Sequence, residues 1–128
     1  MRSMCYVKAT FPKELYERAF LECWTAAWEE RLDLGDPMQL ASVYRRHFSN
    51  LEVKSILQAG HDAKWKAQLS GNTERALSCG AYGAPWFWVR NSKGQEEPFF
   101  GSDRFHYMWQ YLDVPHRDFE VITTDHKL

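Results

Sequence analysis

Ala84-Pro85 and Ser102-Asp103 are the residues whose types and positions suit binding chemistry. An X-Pro bond adopts the cis form at small cost, and a cis bond in a folded protein usually marks a functional turn. Here the dipeptide ends a Gly-Ala-Tyr-Gly loop and opens an aromatic run. The alternative is a trans-proline at the start of an edge strand. Ser102-Asp103 stands where a helix is expected to begin. A helix N-terminus presents free N–H groups and a partial positive charge, both suited to a carboxylate. The serine hydroxyl adds a donor, and the aspartate can pair with an ammonium. The plainer reading is a helix cap, with Ser at the N-cap and Asp complementing the dipole in the first turn.

Other reactive residue types reduce to structural roles. Tyr82 and Tyr107 could offer a hydroxyl to a thiolate, but a buried tyrosine with a satisfied O–H is the commoner arrangement. Cys79, just before a helix-ending glycine, reads as a small buried hydrophobe. The histidines (His47, His61, His106, His116 and His126) have no metal-ligand spacing and no partnered acid or cysteine, and read as surface or rim residues. Cys5, Cys23 and Cys79 form no C-x-x-C pair, and three at irregular spacing argue against both a disulfide framework and a zinc site. No catalytic residue and no metal ligand is assigned. No phosphate-binding glycine loop, serine-hydrolase elbow or paired carboxylate signature is present.

The elements that must position these residues fall into two patterns. Helical periodicity dominates the first part. Thr10-Phe11-Pro12 reads as a start signal, followed by Leu15, Ala19, Cys23 and Ala27 with Tyr16, Phe20, Trp24 and Trp28 beside them, to a stop at Gly35. Asp36-Pro37 opens a second helix striped by Leu40, Ala41, Tyr44 and Phe48. Ser49 and Glu52 fit a capping box for a third, through Val53, Ile56 and Leu57. A fourth runs from about Ala63 to Cys79, with Gly71 a weak point. After Gly80 the pattern changes. Pro85 to Arg90 reads as a strand buried on both faces, Asn91-Ser92-Lys93-Gly94 as a turn, and Gln95 to Phe100 as the returning strand. Ser102 then caps a final helix, Asp103 to Leu112, and beyond Pro115 the tail is polar and loosely ordered.

Composition sets the class. The 128 residues are 45% hydrophobic and 16% aromatic, enough for one packed core and unlike a disordered chain. A net charge of −1 supplies no field for nucleic acid or anionic lipid. No apolar run is long enough for a transmembrane helix, and Lys8 and Pro12 interrupt any signal-peptide core. The sparse cysteines suit a reduced, intracellular compartment. His126-Lys127-Leu128 is a weak match to a peroxisomal address, against the plainer reading of three ordinary terminal residues.

The order of loop, strand, turn, strand and helix from Cys79 to Arg104, with GAYGAP before the hairpin and FFGSDR after it, resembles the C-terminal β–β–α half of a thioredoxin fold. In wording it resembles the kappa class of glutathione transferases, whose relatives include the 2-hydroxychromene-2-carboxylate isomerases and the wider DsbA-like group. The resemblance extends from Met1 to about Pro115. It implies an α/β, mostly helical chain: a helical insertion over 1–79, the C-terminal half of a thioredoxin-like domain over 80–115, and a flexible tail over 116–128. It also implies glutathione as thiol co-substrate. The Ala84 backbone, before a cis Pro85, would hold the cysteinyl unit. Ser102 would take the γ-glutamyl carboxylate and Asp103 the ammonium. Mitochondria and peroxisomes are locations known for the class.

In that family a β–α–β unit carrying the catalytic serine or cysteine comes first, and such a unit needs some thirty residues. Only Met1 to Phe11 precede the first helix read from the pattern, so the expectation is a truncated thioredoxin-like fold lacking that unit. Transferase or isomerase activity then follows by family and is not expected of the chain alone. The other readings are a non-catalytic binding module, and a half-site completed by another chain, either a homodimer or a separate N-terminal half.

Overall fold

The computed structural model describes residues 1–117; most of the tail read as loosely ordered over 116–128, including His126-Lys127-Leu128, lies outside them. The elements are α1 (Arg2–Thr10), α2 (Lys13–Trp28), α3 (Pro37–Tyr44), α4 (Asn50–Ala59), α5 (Ala63–Ser78), β1 (Trp86–Arg90), β2 (Glu96–Phe100) and α6 (Phe105–Tyr111). Packing divides the chain within α5, into Met1–Glu74 and the residues from Arg75 on.

The first unit is helical. Its core gathers Met4 and Val7 of α1, Ala19 of α2, Ala41 and Tyr44 of α3, Phe48, and Val53 and Ile56 of α4. These recur at the three- and four-residue spacing that puts apolar side chains on one helix face. The residue pattern alone did not mark helix α1. It has no side-chain cap, and Thr10, read as a start signal, is its last residue. The chain leaves α1 through Phe11 and enters α2 after Pro12. Helix α2 stops at Trp28, well before Gly35. Arg31 takes a left-handed conformation (φ 58°), and the Leu32 N–H turns back onto the Ala26 carbonyl at 2.9 Å, closing the helix end.

Two start signals act as the residue types dictate. The Asp36 carboxylate accepts from the Met38 N–H at 2.8 Å, with Pro37 in the first turn of α3. At α4 the capping box is closed from both sides: the Glu52 N–H donates to Ser49 Oγ, and the Glu52 carboxylate accepts from the Ser49 N–H at 2.8 Å. Arg46, just after α3, donates to Glu30 at 2.6 and 2.7 Å and also to Glu22 of α2. Its guanidinium, through these hydrogen bonds, holds both carboxyls below their usual range. Helix α5 continues unbroken through Gly71.

The second unit is an antiparallel hairpin with α6 against it. The register pairs Trp86 with Phe100, Phe87 with Phe99, Trp88 with Pro98, Val89 with Glu97 and Arg90 with Glu96. Phe87 meets Phe105 at 5.5 Å between ring centroids, and Phe99 meets Tyr111 at 5.6 Å, so α6 covers that face. The opposite face carries Trp86 stacked on Trp88. The expectation of a strand buried on both faces is corrected: Trp88 and Arg90 are exposed and the remaining β1 residues half-buried. A two-stranded sheet has one layer to pack against and cannot enclose its central residues as a wider sheet does.

Helix α6 also starts later than expected, at Phe105, and Ser102 does not cap it. Gly101 is left-handed (φ +88°), and the Asp103 carboxylate folds back so close to it that a Cβ there would collide with Oδ1. The chain spends residues 101–104 in a turn before helical geometry begins.

Candidate functional site

One end of the hairpin brings the two sequence-marked dipeptides together. The Gly101 N–H donates to the Pro85 carbonyl at 3.0 Å, which ties the segment entering β1 to the turn leaving β2. The Ala84–Pro85 peptide is cis. Ala84, Pro85, Ser102 and Asp103 are all exposed. The Ala84 N–H and C=O make no hydrogen bond with any described residue, and neither do the N–H groups of Ser102, Asp103 and Arg104. A set of uncommitted backbone donors and one acceptor therefore borders the Ser102 hydroxyl and the Asp103 carboxylate. The nearest charge to Asp103 is Arg104, whose Nε lies 3.9 Å away in an exposed pair.

Two glycines that sequence reading passed over make this arrangement possible. Gly83 packs edge-on to Phe100; a Cβ there would lie 2.7 Å from the ring. Gly101 supplies the positive φ at the turn between β2 and Ser102-Asp103. Their signal was present in the sequence as the glycines of GAYGAP and FFGSDR. The Tyr82 ring lies tilted against that of Phe100, 4.7 Å between centroids.

Tyr82 and Tyr107, expected as buried tyrosines with satisfied hydroxyls, are 77% and 56% exposed. Cys79 is half-buried and free of disulfide. At the opposite, turn end of the hairpin Arg90 donates to Glu96 at 2.8 Å and holds its carboxyl below the usual range. Asn91 Oδ1 accepts from Lys93 and Gln95 N–H groups at 3.0 Å. That end is locked, whereas the Ala84–Asp103 end is left with open valences. Among the described residues no cluster of His, Cys, Asp and Glu could hold a metal ion. No helix among them is long and apolar enough to cross a membrane.

A β–β–α unit entered through a cis-proline, following a helical segment, defines the closing half of a thioredoxin-type fold. Residues 1–113 match the DsbA-like thioredoxin domain, and the chain belongs to that family. It is 33% identical over 103 residues to "Glutathione S-transferase kappa 1" of Caenorhabditis elegans, an alignment covering 80% of this chain and 45% of that protein. To the protein of the same name from Homo sapiens it is 33% identical over 105 residues, covering 81% and 46%. "Glutathione s-transferase kappa 2" of Caenorhabditis elegans is 28% identical over 92 residues. The chain thus spans a little under half the length of these curated relatives.

Proposed function

We propose that this chain is a kappa-class glutathione transferase-like protein whose Ala84–Asp103 end receives glutathione. In this reading residues 1–79 are the helical insertion and 80–115 the glutathione-facing half. Ala84 pairs its backbone with the cysteinyl unit as a short antiparallel strand, a mode in which main-chain hydrogen bonds give the affinity. Ser102 takes the γ-glutamyl carboxylate and Asp103 its ammonium. The observation that carries the reading is the Gly101–Pro85 hydrogen bond, which sets uncommitted backbone groups beside both side chains. Relatives named as glutathione transferases favour glutathione over other thiol peptides.

The site is exposed, so each contact is weak. A solvated ion pair or hydrogen bond contributes about 1 kcal/mol or less, and ordering a flexible tripeptide costs several times that. The chain alone is expected to bind glutathione in about the millimolar range, and to conjugate a chloronitrobenzene no faster than the uncatalysed reaction. An amide NMR titration with glutathione tests this. Shifts should fall on Ala84, Ser102 and Asp103; Asp103→Asn should weaken binding severalfold and Cys79→Ser should not. Absence of shifts at those amides at tens of millimolar glutathione would overturn the assignment.

A second reading has its own observation. The bonds Gly101 N–H to Pro85 and Asn91 N–H to Gln95 fix which residues of β1 face β2. By antiparallel alternation, Trp86, Trp88 and Arg90 turn their N–H and C=O groups to the open side. A strand from another polypeptide laid there would add a wall to the site. Micromolar glutathione affinity, or turnover abolished by Asp103→Asn, would favour this half-site reading.

A further inference from the structure

The helical unit contains a second candidate site, unrelated to the glutathione reading. Ser3 Oγ and Tyr44 Oη lie 2.9 Å apart, joining the start of α1 to the end of α3. Both residues are buried, 6% and 2% exposed. Two hydroxyls carry two hydrogens, and the bond between them uses one. No other described group accepts the second. A spare O–H donor is therefore enclosed in an apolar region, where an unmet donor is costly. The pair lies in the wall of a cavity of about 370 Å³ between α1, α2 and the approach to α3.

The rest of that wall says what would answer the donor. Met1, Met4, Phe20, Ala27, Leu34 and Leu40 complete the lining; no charged side chain is among them, and the one charged group beside it is the α-ammonium of Met1, which acts on Cys23. At the mouth stand Trp24 and Trp28, 52% and 73% exposed, with indole planes within 13° of parallel. The Cys23 thiol beside them is pushed up by burial and stays neutral. The Tyr44 phenol is likewise raised, to about 12, and remains a donor throughout the neutral range. Ligand cavities typically hold about 300–1,000 Å³ behind mostly apolar and aromatic walls, with a few converging polar groups. A carbonyl oxygen is an acceptor that can take the spare hydrogen while its apolar body fills the rest of the cavity.

We propose that this cavity binds a small neutral molecule with a flat aromatic body and one carbonyl oxygen, which accepts the spare hydroxyl hydrogen of the Ser3–Tyr44 pair. The aromatic body lies against Phe20 and the Trp24–Trp28 faces.

The test compares 2-acetylnaphthalene with 2-isopropenylnaphthalene, its isostere bearing CH₂ in place of the carbonyl oxygen, by NMR titration of the full chain. The ketone should bind about five- to tenfold more tightly, the worth of one buried hydrogen bond, with shifts centred on α1, α2 and Tyr44. Ser3→Ala leaves one hydroxyl hydrogen and should keep the preference. Ser3→Ala with Tyr44→Phe should abolish it while both probes still bind. Ala27→Leu, which narrows the cavity without touching the pair, should weaken both probes. Equal affinity for the two probes in the unaltered chain, no binding of either up to saturation, or shifts confined to the hairpin would each overturn the proposal. So would a crystal grown with the ketone that holds only a water on the pair. Should the double variant fail to fold, the isostere comparison and Ala27→Leu decide the matter on folded protein.

Discussion

Tyr44 shows how one buried hydroxyl ties stability to pH. Burial pushes its phenol up from an ordinary 10 to about 12, against the opposing hydrogen bond from Ser3. The unfolded chain releases this proton near pH 10 while the folded chain holds it to about pH 12. The contribution is therefore complete below pH 10 and is lost as pH rises through that window. Two units correspond to a fall on the order of 2–3 kcal/mol. Alkaline denaturation should show this limb, and Tyr44→Phe should flatten it while costing about 1–2 kcal/mol near neutrality by leaving Ser3 without its partner. Residue-level legibility was uneven. Tyr44 was readable as a core residue from its stripe with Leu40 and Phe48. Its pairing with Ser3, 41 positions away, was not, because nothing local to either residue encodes a tertiary hydrogen bond. At the candidate site the four marked residues were legible from their dipeptides, whereas the turn that sets Ser102 outside α6 depends on Asp103 folding over Gly101.

Elements were legible where a local chemical signal punctuates them. Helix α4 was, because S-x-x-E is a self-contained device; Ser49→Ala should cost about 1 kcal/mol in urea denaturation, without altering glutathione binding. Helix α1 was not, because it carries no cap and its apolar run Met4 to Val7 has no distinguishing period. The end of α2 was misplaced because Leu32 and Leu34 prolong the apolar pattern, while the left-handed Arg31 breaks the backbone without a glycine to announce it. The same end is held by Arg46, which lowers Glu22 and Glu30 below 4.5. Carboxyls depressed in the fold stabilise above their unfolded value, and that stability is lost as pH falls through the folded one. Arg46→Met should therefore lower the thermal midpoint at neutral pH and flatten its decline below about pH 4.5, as read by calorimetry across pH. An unchanged acid limb would show the triad to be decorative.

At the scale of the molecule, burial is lopsided. Every fully buried residue described belongs to the helical unit, and none to the residues from Arg75 on. The hairpin and α6 thus have one covered face and one bare one. Exposed aromatic edges of this kind template association, so the chain should self-associate through β1. Sedimentation across a wide concentration range should show a dimer, and Trp88→Lys should shift it toward monomer; a monomer indifferent to concentration would refute this. How far the association goes is set by the hairpin's other edge. The residue at the middle of the outward side of β2 is Pro98, which has no N–H to give, flanked on that side by Glu96 and Phe100. Two chains joined β1 to β1 would make a four-stranded ribbon bounded by proline on both sides. In the vocabulary of polymerisation the hairpin has a functionality of one: it can be consumed in a single coupling but cannot propagate, so it ends a chain and never grows a fibre.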